Sequence, residues 1–302
     1  MRILLLGATG QVGWELSHRL GALGELTTTA RDGTADLKLD VTDLAALRNT
    51  LDAMQPDLIV NATGYTAVDQ AEQEPELAMR LNADVPGRIG DWAAWHGATV
   101  MHYSTDYVFD GNQQVPYRES DEPNPLNVYG RTKLAGEDAL LASECRAFIL
   151  RVGWVYGNRR RNFLCTVQQL LEEQREIRMV NDQRGTPTWC RSIAECTGSI
   201  IEALTASDRE NTAAHGIYHL APAGDATWHE FACAIRDELG FTCAIRPIAT
   251  TEYPLAARRP ACSVLATDKL SHTFGITLPH WRDLLSRSLA VSRPETGRCP
   301  AP

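Results

Sequence analysis

The 302-residue sequence predicts an α/β fold in which a doubly wound parallel sheet is followed by a smaller, mixed α/β lobe. Three observations support this prediction. Short apolar runs alternate with longer amphipathic runs as far as residue 155, a glycine-rich turn follows the first apolar run, and the alternation becomes irregular afterwards. We therefore expect one domain over residues 1–155, a second lobe mainly over 156–290 and a disordered tail over 291–302.

Five predicted strands and four predicted helices alternate in the first domain. Strands separated by helices form right-handed βαβ units, so the sheet is expected to be parallel and covered by helices on both faces. Pro86 interrupts the third helix. The predicted strands cover residues 3–6, 25–30, 58–60, 98–103 and 148–152, and the predicted helices cover residues 11–20, 44–54, 75–96 and 126–141.

The second lobe has a less regular pattern. One of its helices has a defined start, because Thr227 and Glu230 have the spacing of a capping box. Proline and arginine residues then interrupt 246–260, which is typical of loops that contribute to a substrate site. Helices are predicted over 162–173, 192–204 and 227–239, and short strands over 177–180 and 216–220.

Composition excludes several classes of protein. The formal net charge of −9 disfavours binding to nucleic acid or to an anionic membrane, because phosphate repels an acidic surface. No run approaches the roughly 20 apolar residues that cross a bilayer, and the apolar N-terminus leads directly into a glycine motif rather than to a cleavage site. The eight cysteines form no C-x-x-C pair. We expect a cytoplasmic enzyme with no metal site.

The glycine-rich turn at 7–13, of the form G-x-x-G-x-x-G, joins the first strand to the first helix. Gly7 and Gly10 allow a tight turn and a close approach of the backbone to a pyrophosphate, and Gly13 lets the helix pack against the strand. Free N–H groups at the helix N-terminus then face the anion. The sequence therefore predicts a Rossmann-like site for a dinucleotide.

The end of the second strand bears on which nicotinamide cofactor is bound. An acidic residue there bonds the adenosine ribose of NAD, whereas an arginine accepts the 2′-phosphate of NADP. Arg31 and Asp32 stand side by side, so NADPH is favoured by Arg31 and NADH remains the alternative. Asp40 and Val41 end the next short run and are expected to flank the adenine.

Tyr129 and Lys133 are the predicted catalytic pair. They are four residues apart and therefore share one face of a helix. A lysine ammonium beside a phenol stabilises the phenolate and lowers the phenol pKa, which makes Tyr129 a general acid for a ketone oxygen. Lys133 is also expected to bond the nicotinamide ribose.

Ser104 and Thr105 end the fourth predicted strand. Ligands of open α/β sheets bind at the carboxyl ends of strands. We therefore expect both hydroxyls to face the crevice that holds Tyr129, and one of them to donate a hydrogen bond to the substrate carbonyl.

The glycine turn, the run 104–109 and the Tyr129/Lys133 pair together resemble the extended short-chain dehydrogenases. Within that superfamily the sequence is similar to the dTDP-4-dehydrorhamnose reductases over about residues 1–290. The runs that carry this finer resemblance are 60–62, 66–69, 72–77, Asn82, 102–109, 125–137, 151–156, 181–183, 185–188, 218–220, 227–229 and 259–260.

The resemblance implies reduction of the C4 ketone of dTDP-4-dehydro-β-L-rhamnose to dTDP-L-rhamnose, a precursor of bacterial surface polysaccharide. It implies that the nicotinamide supplies the hydride and that Tyr129 donates the proton. It also implies that Lys133 binds the ribose and that Thr105 donates a hydrogen bond to the ketone. The other implied contacts are Asp106, Trp154 and Arg259 for the substrate, and Gly10, Gln11, Val12, Asp40, Val41, Thr63, Gly64 and Tyr65 for the cofactor.

The resemblance also raises a homodimer linked by Mg²⁺, because some members hold this ion between glutamates. Glu15 and Glu195 match two of them, but the segment around Trp281 offers no further glutamate. Solvated helix charges are therefore the favoured interpretation.

Two other functions stay open. A sugar-nucleotide epimerase of the same superfamily retains its cofactor and consumes no added NADPH. A non-catalytic, NADP-binding subunit similar to the regulatory subunit of methionine adenosyltransferase keeps the motifs without turnover. A dehydratase is disfavoured, because Tyr107 rather than a second carboxylate follows Asp106.

Overall fold

The computed structural model describes residues 1–206 and 214–291. The strands within these ranges are β1 (Arg2–Leu6), β2 (Glu25–Ala30), β3 (Leu37–Lys38), β4 (Leu58–Asn61), β5 (Thr99–Thr105), β6 (Arg146–Val152), β7 (Val155–Tyr156), β8 (Glu176–Val180), β9 (Arg184–Gly185), β10 (Thr188–Trp189), β11 (Gly216–His219), β12 (Ala226–Thr227) and β13 (Ala244–Ile248). The α-helices are α1 (Gln11–Leu20), α2 (Leu44–Met54), α3 (Val68–Ala71), α4 (Pro75–Met79), α5 (Val85–His96), α6 (Val128–Ala142), α7 (Phe163–Glu173), α8 (Cys190–Ala206), α9 (Trp228–Leu239), α10 (Asp268–Phe274) and α11 (Trp281–Val291).

Seven strands form the central sheet in the order β11-β6-β5-β4-β1-β2-β3. Every neighbouring pair is parallel, which confirms the predicted doubly wound sheet. The chain winds in opposite directions from β1, so the crevice between the ends of β1 and β4 is the expected ligand site. Strand β11 comes from beyond residue 155 and pairs with β6, so the later part of the chain adds an edge strand to the sheet.

Alternation along the strands sends apolar side chains to both faces of the sheet. Leu5 packs in one buried cluster with Leu16 of α1 and Ile193 of α8, whereas Leu4 packs in another with Ile89 of α5 and the residues of α2 and α6. A third cluster is centred on Phe231 and joins α7, α9 and α11 in the second lobe. The predicted capping box at Thr227 and Glu230 is present at the start of α9.

The predicted helix at 75–96 is present as one helical run with a change of pitch. A π-helical turn over Arg80–Asp84 joins α4 to α5, and Pro86 lies directly after this turn. The turn brings the backbone carbonyl of Asn82 so close to α6 that a Cβ at Gly136 would clash with it. The side chain of Asn82 also bonds Thr132 on α6, at 3.0 Å.

Within the described ranges, none of the helices combines the length and apolar character needed to span a bilayer. The tail predicted over 291–302 lies, apart from Val291, outside the described residues.

Candidate active site

A cleft of about 690 Å³ opens at the carboxyl ends of β1, β2 and β4. Its position at the point where the winding of the sheet reverses is that of a ligand site in an open α/β fold. The predicted cofactor residues on its wall are Gly7, Gly10, Arg31, Asp40, Val41, Thr63, Gly64 and Tyr65. The cleft therefore gathers most of the residues that the sequence assigned to the cofactor.

The glycine turn fits the close approach of a pyrophosphate. Gly7 has φ +83°, and a Cβ there would lie 3.0 Å from the side chain of Thr63. A Cβ at Gly13 would clash with the carbonyl of Gly7. Gln11 and Val12 do not line this cleft, because Gln11 accepts a hydrogen bond from Asn162 at 3.0 Å and Val12 packs against two apolar clusters.

Two aspartates and one arginine lie near the end of β2. The two carboxylates accept hydrogen bonds from neighbouring threonines, whereas the arginine forms no ion pair in the described part of the chain. Asp32 accepts hydrogen bonds from the hydroxyl and N–H of Thr34, which hold the pKa of its carboxyl below the usual range. The hydroxyl of Thr42 does the same for Asp40. Arg31 is exposed and makes no ion pair with another described residue. Arg31 is thus the free group at this end of the cleft.

Tyr129 and Thr105 meet at the end of β5. Burial raises the pKa of the Tyr129 phenol to about 12, and the Thr105 hydroxyl acts against this shift by hydrogen bonding. The expected lowering by Lys133 is therefore wrong for this arrangement. Lys133 points elsewhere, since its ammonium donates to the carbonyl of Tyr103 at 2.5 Å.

Lys133 is nevertheless next to the cofactor cleft. Its Nζ lies 4.0 Å from the place where a Cβ of Gly64 would be. Burial lowers the pKa of Lys133 to about 8, while Glu137 on the next turn of α6 raises it. The Nε2 of the fully buried His102 lies 3.2 Å from Nζ, and Asn61 bonds the other ring nitrogen at 3.2 Å.

Ser104 does not share the crevice with Thr105. Its hydroxyl bonds the carboxylate of Glu137, which also pairs with Arg151 at 2.6 Å. Glu137 and Arg151 are almost wholly buried. Successive strand residues face opposite sides of a sheet, so only one of the two hydroxyls can reach the substrate. The expectation that both face the crevice is corrected in favour of Thr105.

Asp106 is a buried carboxyl beside Thr105. Burial raises the pKa of Asp106 to about 7, although hydrogen bonds from Ser263 and Thr105 lower it in part. The Cα of Gly153 packs directly against this carboxyl, and a Cβ there would lie 2.7 Å from it. At neutral pH the group is therefore poised between its acid and its carboxylate.

Two predicted substrate residues have partners within the protein. Trp154 has φ +47° and stacks on Trp228 with ring centroids 3.4 Å apart. Arg259 pairs with Asp69 through two hydrogen bonds of 2.8 and 2.6 Å. Both side chains are therefore held in fixed orientations by these partners.

Sequence reasoning missed several residues of the site. Ser263 approaches from a distant part of the chain, and no local pattern marks it. Trp228 lies in the run 227–229 that carries the resemblance, but no role in the site was predicted for it. Arg160 belongs to the basic run at 159–161. Such runs are more often solvated loops, yet Arg160 lines the cofactor cleft.

Glu15, one of the two glutamates considered for Mg²⁺, pairs with Arg191 at 2.9 Å and lies outside that cleft.

Glu195, the other glutamate considered for Mg²⁺, pairs with Arg19 at 3.2 Å. In residues 1–206 and 214–291, no group of three or more histidine, cysteine, aspartate or glutamate side chains is arranged to hold a metal ion.

Known proteins resemble this chain over almost its whole length. The family model described as the RmlD substrate binding domain matches residues 1–293. A dTDP-4-dehydrorhamnose reductase of Shigella flexneri is 42% identical over 295 residues, which cover 96% of this chain and 97% of the relative.

Solved structures extend the likeness to the fold. A dTDP-4-dehydrorhamnose reductase of Clostridium acetobutylicum has a TM-score of 0.89 at 32% identity, covering 96% of this chain and 99% of the other. The enzyme of Bacillus anthracis, determined in complex with NADP, has a TM-score of 0.87 at 30% identity with the same coverage. From the matched family model and these relatives together, the chain belongs to the dTDP-4-dehydrorhamnose reductase family.

Proposed function

We propose that the protein reduces the C4 ketone of dTDP-4-dehydro-β-L-rhamnose to dTDP-L-rhamnose with NADPH or NADH. The observation that carries this proposal is the meeting of Tyr129 and Thr105 at the end of β5, next to a cleft shaped by the glycine turn. The identity of 42% with a dTDP-4-dehydrorhamnose reductase over the full chain supports the choice of substrate.

The cleft has the features that a dinucleotide needs. The backbone of Gly7 and Gly10 leaves room for a pyrophosphate, and Arg31 offers a free cation at the adenosine end. Thr63, Gly64 and Tyr65 also line the cleft. Lys133 approaches Gly64, and Tyr129 packs against the cluster that contains Tyr65. When bound, the nicotinamide supplies the hydride for C4.

The side chains of the protein supply the proton and hold the ketone. Thr105 donates a hydrogen bond to the ketone oxygen and fixes its direction. The phenol of Tyr129, protonated at neutral pH with a pKa of about 12, gives its proton to that oxygen as negative charge develops there. The ammonium of Lys133, which donates to the carbonyl of Tyr103 and lies beside Gly64 of the cleft, binds the ribose. In the free protein the single hydroxyl proton of Thr105 points at Asp106, 3.1 Å away, and it turns to the ketone oxygen when the substrate binds.

Oxidation of NADPH and NADH, measured at 340 nm with the dTDP-4-keto sugar, tests the proposal. Tyr129→Phe keeps the ring and removes the proton donor, so kcat should fall by about 10²–10⁴. Tyr253→Phe is the matched control, because Tyr253 is 55% exposed, and its kcat should be unchanged. Cofactor binding without any oxidation by the wild-type protein would contradict the proposal and favour an epimerase or a non-catalytic NADP-binding subunit.

The same proposal includes the setting of the reaction. We place the enzyme in the cytoplasm, with a nucleotide sugar as its partner, and we retain a homodimer as a prediction. A role for Mg²⁺ has the weakest support, since both candidate glutamates are paired with arginines.

A further inference from the structure

The loop between β7 and α7 crosses from the second lobe to the glycine turn. The Nε of Arg160 donates a hydrogen bond of 2.6 Å to the carbonyl of Thr9. Two residues on, Asn162 donates to Gln11 at 3.0 Å. Arg160 has φ +58°, a backbone conformation that residues other than glycine seldom adopt. The loop is thus held in an unusual shape that carries a guanidinium to the cofactor cleft.

Arg160 lines the same cleft as Arg31 and Asp32, which follow the end of β2. Its charge contributes to the lowered pKa of Asp32, although the bonds from Thr34 are the larger cause. With Nε bonded to Thr9, the two Nη groups of Arg160 make no hydrogen bond to another described residue.

Neither arginine forms an ion pair with the described carboxylates near it, although their charges act on each other. Asp32 and Asp40 are each bonded by a threonine in their own turn, at 2.7 Å. The guanidinium of Arg31 and the two Nη groups of Arg160 are therefore available to a dianionic ligand group in this cleft. A guanidinium binds phosphate through a planar fork of N–H groups, which suits Nη1 and Nη2.

We propose that Arg160, together with Arg31, binds the 2′-phosphate of NADPH, so that the second lobe takes part in choosing NADPH over NADH. This inference rests on the proposed function only in requiring a nicotinamide dinucleotide. Gly7 and Gly10 would hold the pyrophosphate, which both cofactors share. Arg160 is bonded to Thr9 between these glycines, and its charge also acts on Asp32 at the end of β2, so its Nη groups are placed between the glycine turn and the site of the adenosine ribose. A phosphate on that ribose is the group by which the two cofactors differ.

Direct binding of cofactor fragments tests the inference without any sugar substrate. The probes are adenosine 2′,5′-bisphosphate, which carries the 2′-phosphate, and adenosine 5′-monophosphate, which lacks it. Arg160→Ala should raise the Kd of the bisphosphate about tenfold or more and leave that of the monophosphate within about twofold, because one charge-assisted phosphate contact is lost. NADPH and NADH should show the same contrast by calorimetry.

Two further variants test whether the loss of any loop charge, or a change in backbone strain, explains weaker binding. Arg161→Ala is the matched control, since Arg161 is exposed in the same loop and does not line the cleft. Arg160→Asn removes the charge with a residue that tolerates positive φ, so strain cannot explain its effect. Both Arg160 variants should lose selectivity for the 2′-phosphate, and Arg161→Ala should not.

Equal losses for both probes would overturn the inference, because they would place Arg160 at the pyrophosphate or in the fold. Unchanged binding of both probes would overturn it as well. Failure of the proposed function has a different signature: no oxidation with the keto sugar, while the preference for the bisphosphate and its loss in Arg160→Ala persist.

Discussion

The two ends of the candidate site are built in opposite ways. At the catalytic end, Glu137, Arg151 and Lys133 are buried, and their charged groups are bonded to fixed partners. At the adenosine end, Arg31 and Arg160 are exposed, and their charges face an open cleft. Buried charges are costly unless paired, whereas exposed charges are screened and cost little. The catalytic end is therefore fixed by the fold, and the adenosine end is open to adjustment of specificity.

The largest expected effect is on stability and comes from removing one partner of the buried ion pair between Glu137 and Arg151. Glu137→Gln leaves the guanidinium of Arg151 without its carboxylate, 2.6 Å away in the native protein, and should lower the free energy of unfolding by about 3–5 kcal/mol. Urea denaturation measures the change. Glu176→Gln is the control, because Glu176 is 55% exposed and 4.0 Å from Arg246, and it should cost less than about 1 kcal/mol. Equal effects of the two variants would refute the contrast.

Asp106 should make the stability of the protein depend on pH. Its pKa rises from 3.8 when unfolded to about 7 in the fold, so the native state binds the extra proton between these values. The contribution of Asp106 is then fully present below about pH 4 and is lost as pH rises to 7, by up to about 4 kcal/mol. The stability of Asp106→Asn relative to wild type should therefore increase across this range and level off above it.

Asp36 is the control for this prediction, because it is an exposed carboxyl whose pKa is shifted in the opposite direction. Hydrogen bonds from Thr28 lower the pKa of Asp36, so its stabilising contribution is lost as pH falls below the usual carboxyl range. Asp36→Asn should thus differ from wild type by a small, constant amount between pH 5 and 8, as measured by the same urea titrations. A pH-independent difference for Asp106→Asn would show that this carboxyl is already ionised in the fold.

His102 is expected to set the protonation of Lys133. The N–H of Thr63 donates to the oxygen of Asn61, which leaves the amide nitrogen facing Nδ1 of His102. The ring proton then lies on Nε2, pointing at Lys133, and disfavours the ammonium. Glutamine at this position offers an accepting oxygen instead, so His102→Gln should move the alkaline limb of the kcat/KM profile upward by about one pH unit.

A second buried histidine provides the control. His219 on β11 is as buried as His102, but its ring bonds the carbonyls of Tyr117 and Ala266. His219→Gln should lower stability without moving the pH profile. A profile unchanged in His102→Gln, with the protein folded, would show that burial alone sets the pKa of Lys133.

How far the sequence predicts this site depends on how local each feature is. The glycine turn, Tyr129 and the pair Ser104/Thr105 could be predicted as site candidates because each has a fixed place relative to a strand end, and the resemblance then favoured Thr105. The sequence could not predict where the Ser104 hydroxyl points or that the pKa of Tyr129 is raised, because both depend on where the side chains of Glu137 and Lys133 point. Contacts between residues far apart in the chain, such as that of Asp106 with Ser263, leave no periodic signal in either segment.

The adenosine end should change specificity with almost no change in stability. Thr34→Val removes the hydroxyl that donates to Oδ1 of Asp32 at 2.7 Å. This oxygen keeps the bond from the N–H of Thr34 at 3.2 Å and can then accept a ribose hydroxyl as well. The Kd of NADH should fall about twofold to threefold, since one exposed hydrogen bond is gained, while the free energy of unfolding stays within about 0.5 kcal/mol. Thr34→Ser keeps the hydroxyl and should bind NADH as wild type does. Unchanged NADH binding in Thr34→Val would show that Asp32 does not reach the ribose. Arg31 and Arg160 would then be the groups that bind the adenosine end of the cofactor.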